Sequence, residues 1–261
     1  MSTSSARYLR FLDGDAPRWG RLEEGRVQPL DAAPWAGGAP AGEPRDRAGL
    51  ALLAPATPTK IVCVGRNYAA HAAELGNEVP AEPLLFLKPP SSVVGPGGAI
   101  ELPPGVGEVH HESELAVVVG RRLGPGCTPA EALEAAFALC AANDVTARAL
   151  QKREGKFTRA KGFDTFCALG PELVTGEDPL ARRAVRCRVN GELRQEGHTG
   201  QLIFDVRHLL HFVAQVMTLE PGDLLLTGTP PGVGPIVAGD RVEVEVEGVG
   251  VLENPVVDRA R

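Results

Sequence analysis

HHESELAVVVG, residues 110–120, sets two glutamates one residue apart at the mouth of an apolar run. Leu115–Val119 reads as a buried strand, and in a strand residues two apart share a face. Glu112 and Glu114 therefore project their carboxylates side by side. Two like charges that close, taken out of water, force one carboxyl to keep its proton unless a cation lies between them. Ala116 and Val118 continue the same face with small apolar side chains, which speaks against a solvated strand. The fitting ions are hard divalent cations such as Mg²⁺, Mn²⁺ or Ca²⁺, which take oxygen ligands, and a third acid would complete a facial set. Asp144, at the end of an apolar run and close to Arg148, is the best candidate. From spacing alone, an acidic pair lining an exposed strand stays open as the alternative.

Outward from this strand, short apolar runs are divided by turn residues along most of the chain. KIVCVG (60–65), LLFLK (84–88), GDLLLTG (222–228), the strictly alternating RVEVEVEG (241–248) and GVLENPVV (250–257) read as strands. CRVNGELRQEG (187–197) carries an Asn190-Gly191 hairpin turn. Helices are predicted over NYAAHAAELG (67–76), with Asn67 as N-cap and Gly76 as the stop, over PAEALEAAFALCAAN (129–143), and over IFDVRHLLHFVAQVM (203–217). Residues 7–31 alternate short apolar runs with Gly and Asp turns, as a small hairpin-rich unit does, and the Ala-, Pro- and Gly-rich 34–59 reads as a linker or crossover. Few helices among many strands favour an α+β fold with a rolled mixed sheet. We divide the chain into a small N-terminal β-rich unit with its linker (1–56) and a main domain (57–261).

With 261 residues, 43% of them hydrophobic, the chain can bury a sizeable core. A net charge of −6 argues against a nucleic-acid surface. No apolar run approaches the ~18 residues of a membrane span, and the N-terminus lacks the basic-then-apolar pattern of a signal peptide. The five cysteines are odd in number, have no C-x-x-C spacing and lie mostly in apolar runs, as reduced thiols of a cytoplasmic protein do.

Other residues carry chemistry in their spacing. His71 and Glu74 are three apart and share a helical face, the arrangement of a carboxylate that orients an imidazole as general base. An incidental pair on a surface helix would look the same. Lys161, in TRAKGFDTF, suits a proton carrier or oxygen ligand if it stands beside the acids, and a solvated loop if it does not. LLLTGTPPGVGP (224–235) lacks the endings of a phosphate or dinucleotide loop. Its backbone N–H groups and the Thr229 hydroxyl suit a carboxylate, and a tight turn is the competing reading.

GRNYAAHAAELG, PLLFLKPPSSVVGPG, HHESELAVVVG, NDVTARALQ, AKGFDTFCALGP, VNGELRQEGHTGQLIF and GDLLLTGTPPGVGP follow one another in the order and approximate spacing of the fumarylacetoacetate hydrolase family. The chain resembles the branch of acylpyruvases, fumarylpyruvate hydrolases and homoprotocatechuate-pathway isomerase/decarboxylases, from about Lys60 to the C-terminus. The resemblance implies the family's mixed β-roll, a homodimer, and Mg²⁺ or Mn²⁺ held by Glu112, Glu114 and Asp144. It implies a lid helix whose His71 and Glu74 activate water, Lys161 as the active-site lysine, and Arg148, Gln151 and Thr229 on the substrate's carboxylate and oxo groups. The expected substrate is a 2-oxo acid bound to the metal, with negative charge stabilised at C3. Cleavage of the C3–C4 bond of an acylpyruvate such as fumarylpyruvate is the leading reaction. Decarboxylation or isomerisation of 2-oxo or 2-hydroxydienoic acids, oxaloacetate included, is the alternative, and a non-catalytic dicarboxylate binder is a third. Ala149 and Gly200 stand where many relatives carry Asp and Ser, so discrimination between substrates is expected to differ.

Overall fold

The computed structural model describes residues 5–260. The reading of a leaderless start rests partly on residues 1–4, which lie outside the described residues. The order along the central path of a twelve-stranded sheet is Arg45–Asp46, Arg26–Leu30, Ala16–Glu23, Ala6–Asp13, Cys167–Thr175, Ala136–Asp144, Ser113–Val119, Leu224–Leu226, Ile61–Gly65 and Leu84–Lys88. Most neighbours are antiparallel, while Leu224–Leu226 runs parallel to Ile61–Gly65, so the sheet is mixed. A five-stranded sheet (Glu192–His198, Ala184–Val189, Arg241–Val246, Gly250–Asp258, Ile100–Leu102) and a three-stranded one (Thr146–Ala147, Val109–His111, Gly234–Ile236) complete the α+β roll. Among the described residues no helix is long and apolar enough to cross a membrane.

Ser113–Val119 lies inside the large sheet with both faces covered. Leu115, Val117 and Val119 pack in one cluster with Leu209, Leu210 and Val213 of helix Val206–Val216 and with Val244 and Val246 of the second sheet. Ala116 and Val118 pack in another, with Cys140, Cys167 and Leu226, and Trp19 and Trp35 from the N-terminal unit close over it. Burial on both faces is why the run is continuously apolar rather than alternating. The hairpin-rich N-terminal unit forms as expected, and its strand Ala6–Asp13 hydrogen-bonds to Cys167–Thr175, so it extends the main sheet. Asn190 and Gly191 take φ of 53° and 80°, the left-handed pair of a tight hairpin turn.

Two sequence expectations need correction. The helix foreseen over 129–143 stops at Glu134, and Ala136–Asp144 is a nine-residue strand. Thr128 and Glu131 start the helix with a reciprocal capping box. Beyond it, the alanines favour helix only weakly, and pairing with Ser113–Val119 on one side and Cys167–Thr175 on the other overrides that preference. Asp144 therefore ends a strand. The second correction concerns Asn67, which does not cap the helix Ala69–Glu74; Tyr68 is its N-cap. The buried Asn67 amide instead accepts from Phe204 N and donates to Thr227 O and Phe204 O, pinning two distant loops beneath the helix. Gly76 does stop that helix, at φ 68°. Replacing Thr128 by alanine should cost about 1 kcal/mol, the ordinary worth of an N-cap, read as a lowered urea midpoint at unchanged slope.

Candidate active site

The fold brings Glu112, Glu114 and Asp144 together: one carboxylate oxygen from each lies within 4.8 Å of the others, and all three residues are buried. Asp144 N donates to Glu112 O at 2.9 Å, which sets the third acid beside the first across two strand ends. Lys161, on the short helix Thr158–Lys161, donates from Nζ to Glu112 Oε2 (2.8 Å), Asp144 Oδ2 (2.5 Å) and Thr146 Oγ1 (2.7 Å). Arg148 opens the helix Arg148–Glu154, binds Glu112 Oε1 through Nη2, and reaches Gln151 Oε1 through Nη1 at 2.5 Å. Its Nε is buried with no partner among the described residues.

A third cation was not foreseen. Lys88, closing the strand Leu84–Lys88, is fully buried and donates from Nζ to Asp144 Oδ1 (2.5 Å) and Phe166 O (2.7 Å). The signal was legible, since a lysine that ends an apolar strand ahead of two prolines has to reach an acceptor if it is buried.

The electrostatics separate the three acids. Burial would raise the Glu112 carboxyl, but Lys161 and Arg148 outweigh it and hold Glu112 far below the usual carboxylate range. Burial pushes Glu114 well up, and the neighbouring Asp144 and Glu112 charges push it further; the Gly228 N–H at 2.7 Å opposes them only in part. No ion pair to Glu114 occurs among the described residues. Burial pulls Lys161 down, while Asp144 and Glu112 more than offset it and keep the ammonium protonated. Three buried acids, one of them without a cationic partner and driven towards its neutral form, fit a hard divalent cation bound by carboxylate oxygens.

The helix Ala69–Glu74 lies beside this centre, its N-cap residue Tyr68, whose phenol burial pushes up, near enough to Glu114 for that carboxylate to raise it further. His71 is buried, and its Nδ1 lies 3.2 Å from Glu74 Oε2. Glu74 Oε1 accepts from Gly232 N at 2.9 Å. The glycine-rich loop thus does bind carboxylates through its N–H groups, and they are the protein's own, Glu114 at Gly228 and Glu74 at Gly232. The Thr229 hydroxyl donates to Ser113 O and accepts from Gln195 Nε2. Ala149 and Gly200 are exposed on the chain. Two cavities of about 550 and 640 Å³ lie elsewhere, one against Arg10 and Leu52–Ala54, the other against Leu102–Gly105 and Pro235–Val237. Neither is lined by the three acids, Lys161 or His71.

The model for the C-terminal domain of fumarylacetoacetate (FAA) hydrolase matches residues 60–257, and an N-terminal domain model described as Rv2993c-like matches 6–55. The chain belongs to the fumarylacetoacetate hydrolase family. Rat mitochondrial oxaloacetate tautomerase is 45% identical over 223 residues, covering 81% of this chain and 71% of that protein. Protein Rv2993c of Mycobacterium tuberculosis is 46% identical over 212 residues, 80% of each chain. The crystal structure of 2-hydroxyhepta-2,4-diene-1,7-dioate isomerase from Mycobacterium marinum superposes with a TM-score of 0.90 at 40% identity, covering 98% of this chain and all of the other.

Proposed function

We propose that this protein is a divalent-metal-dependent enzyme that moves a proton at C3 of small 2-oxo dicarboxylic acids, a tautomerase or isomerase, with oxaloacetate as the first substrate to try. The observation that carries it is Lys161, a buried amine bonded to two acids of the triad. The tautomerase and isomerase among the relatives support the same order of preference, which reverses the expectation of hydrolysis from sequence. Acylpyruvate hydrolysis is kept as the second reading, because the His71–Glu74 pair is built as a water-activating dyad is.

Glu112, Glu114 and Asp144 would hold Mg²⁺ or Mn²⁺, which when bound supplies Lewis-acid stabilisation of negative charge on the substrate's oxygens. Arg148 orients the substrate, its unpartnered Nε offering a donor to a carboxylate. Gln151, held by the same guanidinium, and Thr229 are the further contacts we assign to the substrate. Lys161 carries the proton. Asp144 and Glu112 hold its amine in the charged form against burial, so engaging those carboxylates elsewhere frees it to exchange a proton with C3. The helix Ala69–Glu74 keeps bulk water out, and His71 Nε2, opposite the nitrogen that Glu74 occupies, is the atom that takes a proton from water when the substrate is an acylpyruvate. In this reading residues 57–261 do the chemistry, 1–56 form a small N-terminal unit that extends their sheet, and the enzyme acts as a cytoplasmic homodimer.

The test is a substrate panel with Mg²⁺ and then with a chelator. Loss of the ultraviolet absorbance of enol-oxaloacetate should accelerate with enzyme and Mg²⁺ and return to the spontaneous rate with chelator. Pyruvate release from acylpyruvates without any effect on enol-oxaloacetate would establish the hydrolase instead. Release of CO₂ and pyruvate from oxaloacetate would establish a decarboxylase.

A further inference from the structure

Behind the triad lies a second polar layer built on one side chain. Gln195, in the strand Glu192–His198, has 0% of its surface exposed and uses every hydrogen-bonding position of its amide. Oε1 accepts from Ser113 N at 3.0 Å and from His111 Nδ1 at 2.9 Å, while Nε2 donates to Thr229 Oγ1 and Pro230 O, both at 2.8 Å. The amide has one possible orientation, because turning it over would set oxygen against the Pro230 carbonyl and NH₂ against the Ser113 N–H.

What those partners carry gives the side chain its meaning. Ser113 is the residue between Glu112 and Glu114, so the bond to its N–H fixes the strand where both acids leave it. Thr229 and Pro230 lie between Gly228, whose N–H holds Glu114, and Gly232, whose N–H holds Glu74 of the helix Ala69–Glu74. The loop rests directly on the strand of Gln195: a Cβ on Gly232 would stand 2.2 Å from Arg194 O, and one on Gly197 2.5 Å from Pro230 Cβ. Two groups that must move little relative to each other, the acids and the latch of the helix, are thus tied to one buried amide.

We propose that Gln195 is a positioning residue that couples cation binding at Glu112, Glu114 and Asp144 to docking of the helix Ala69–Glu74. The inference rests on the metal-dependent reading above. By linkage, a cation that steadies Glu114 also steadies the loop and the Glu74 latch, and a docked helix strengthens cation binding by the same factor.

The experiment compares the parent chain with Gln195→Met, which keeps the side-chain length and removes all four bonds, and with Thr229→Val, which keeps the shape and removes one of those four together with the Thr229 bond to Ser113 O. Mn²⁺ affinity is measured by equilibrium dialysis, and amide hydrogen exchange is followed in residues 69–76 with and without Mn²⁺, using helix Val206–Val216 as a folding control. In the parent, Mn²⁺ should slow exchange in 69–76. In Gln195→Met, affinity should fall about tenfold or more and the Mn²⁺ effect on 69–76 should vanish, with the control helix still protected. Thr229→Val should fall between the two, and it decides the matter if Gln195→Met does not fold. Affinity within twofold of the parent together with an intact Mn²⁺ effect on the helix overturns the coupling alone. Absence of Mn²⁺ binding by the parent overturns both the coupling and the metal-dependent reading.

Discussion

Asp144→Ala should be the most destabilising single substitution in the site, lowering stability by about 3–5 kcal/mol, the usual cost of breaking a buried ion pair. Asp144 receives Lys88 on one oxygen and Lys161 on the other, both at 2.5 Å. Its loss does not strand the two lysines equally. Lys161 keeps Glu112 and Thr146, whereas Lys88, with no exposed side-chain surface, keeps only the carbonyls of Val145 and Phe166. A typical fold has roughly 5–15 kcal/mol in total, so the change takes a large share of it. Removing both partners, as Lys88→Met with Asp144→Asn, takes away the unpaired charge and should recover much of the loss, because contacting residues are not additive. Urea denaturation of the three chains in the presence of chelator measures this. A single Asp144→Ala chain as stable as the parent would show that Lys88 is not buried against Asp144 in the folded protein.

The second large effect separates the two proton carriers. Lys161→Met should reduce ketonisation of enol-oxaloacetate by about 10²–10⁴-fold, the range expected when a positioned proton carrier is removed. His71→Ala should reduce pyruvate release from acylpyruvates by a similar factor and ketonisation by much less, since moving a proton at C3 consumes no water. Measuring both reactions on both variants gives four rates whose pattern is the result. Equal losses in both reactions for His71→Ala would contradict the assignment of the dyad to water. Ketonisation that survives Lys161→Met would move the C3 proton to another group. Because Lys161 also compensates Glu112 and Asp144, each variant is compared at saturating Mg²⁺, so that weakened cation binding is not mistaken for lost chemistry.

What could be read from the chain were relationships between near neighbours. Glu112 and Glu114 share a face because a strand repeats every two residues, and His71 and Glu74 meet because a helix brings residues three apart together. The Asn190-Gly191 turn needs left-handed backbone, and the helix Val206–Val216 announces itself by its amphipathic spacing and the Asp205 cap, which accepts from His208 N. Asp144 was singled out by its place at the end of an apolar run and near Arg148, whereas the joining of Lys161 to the acids was legible only through the resemblance of seven motifs, since nothing local links residues so far apart.

Tertiary structure alone decided the rest. Ala136–Asp144 is apolar on both faces, so it has no period to distinguish strand from helix, and its fate was set by the strands on either side. Asn67 sits where a helix cap belongs, yet its amide was taken by Phe204 and Thr227. Lys88 found Asp144 across 56 residues, and Gln195 found Ser113 across 82. The sequence by itself determined the identities and local geometry of the acids and of the His71–Glu74 pair, because those depend on backbone repeat. Their shared burial, the lysines that balance them and the amide behind them depend on desolvation: a polar group removed from water must find a partner wherever the fold has brought one.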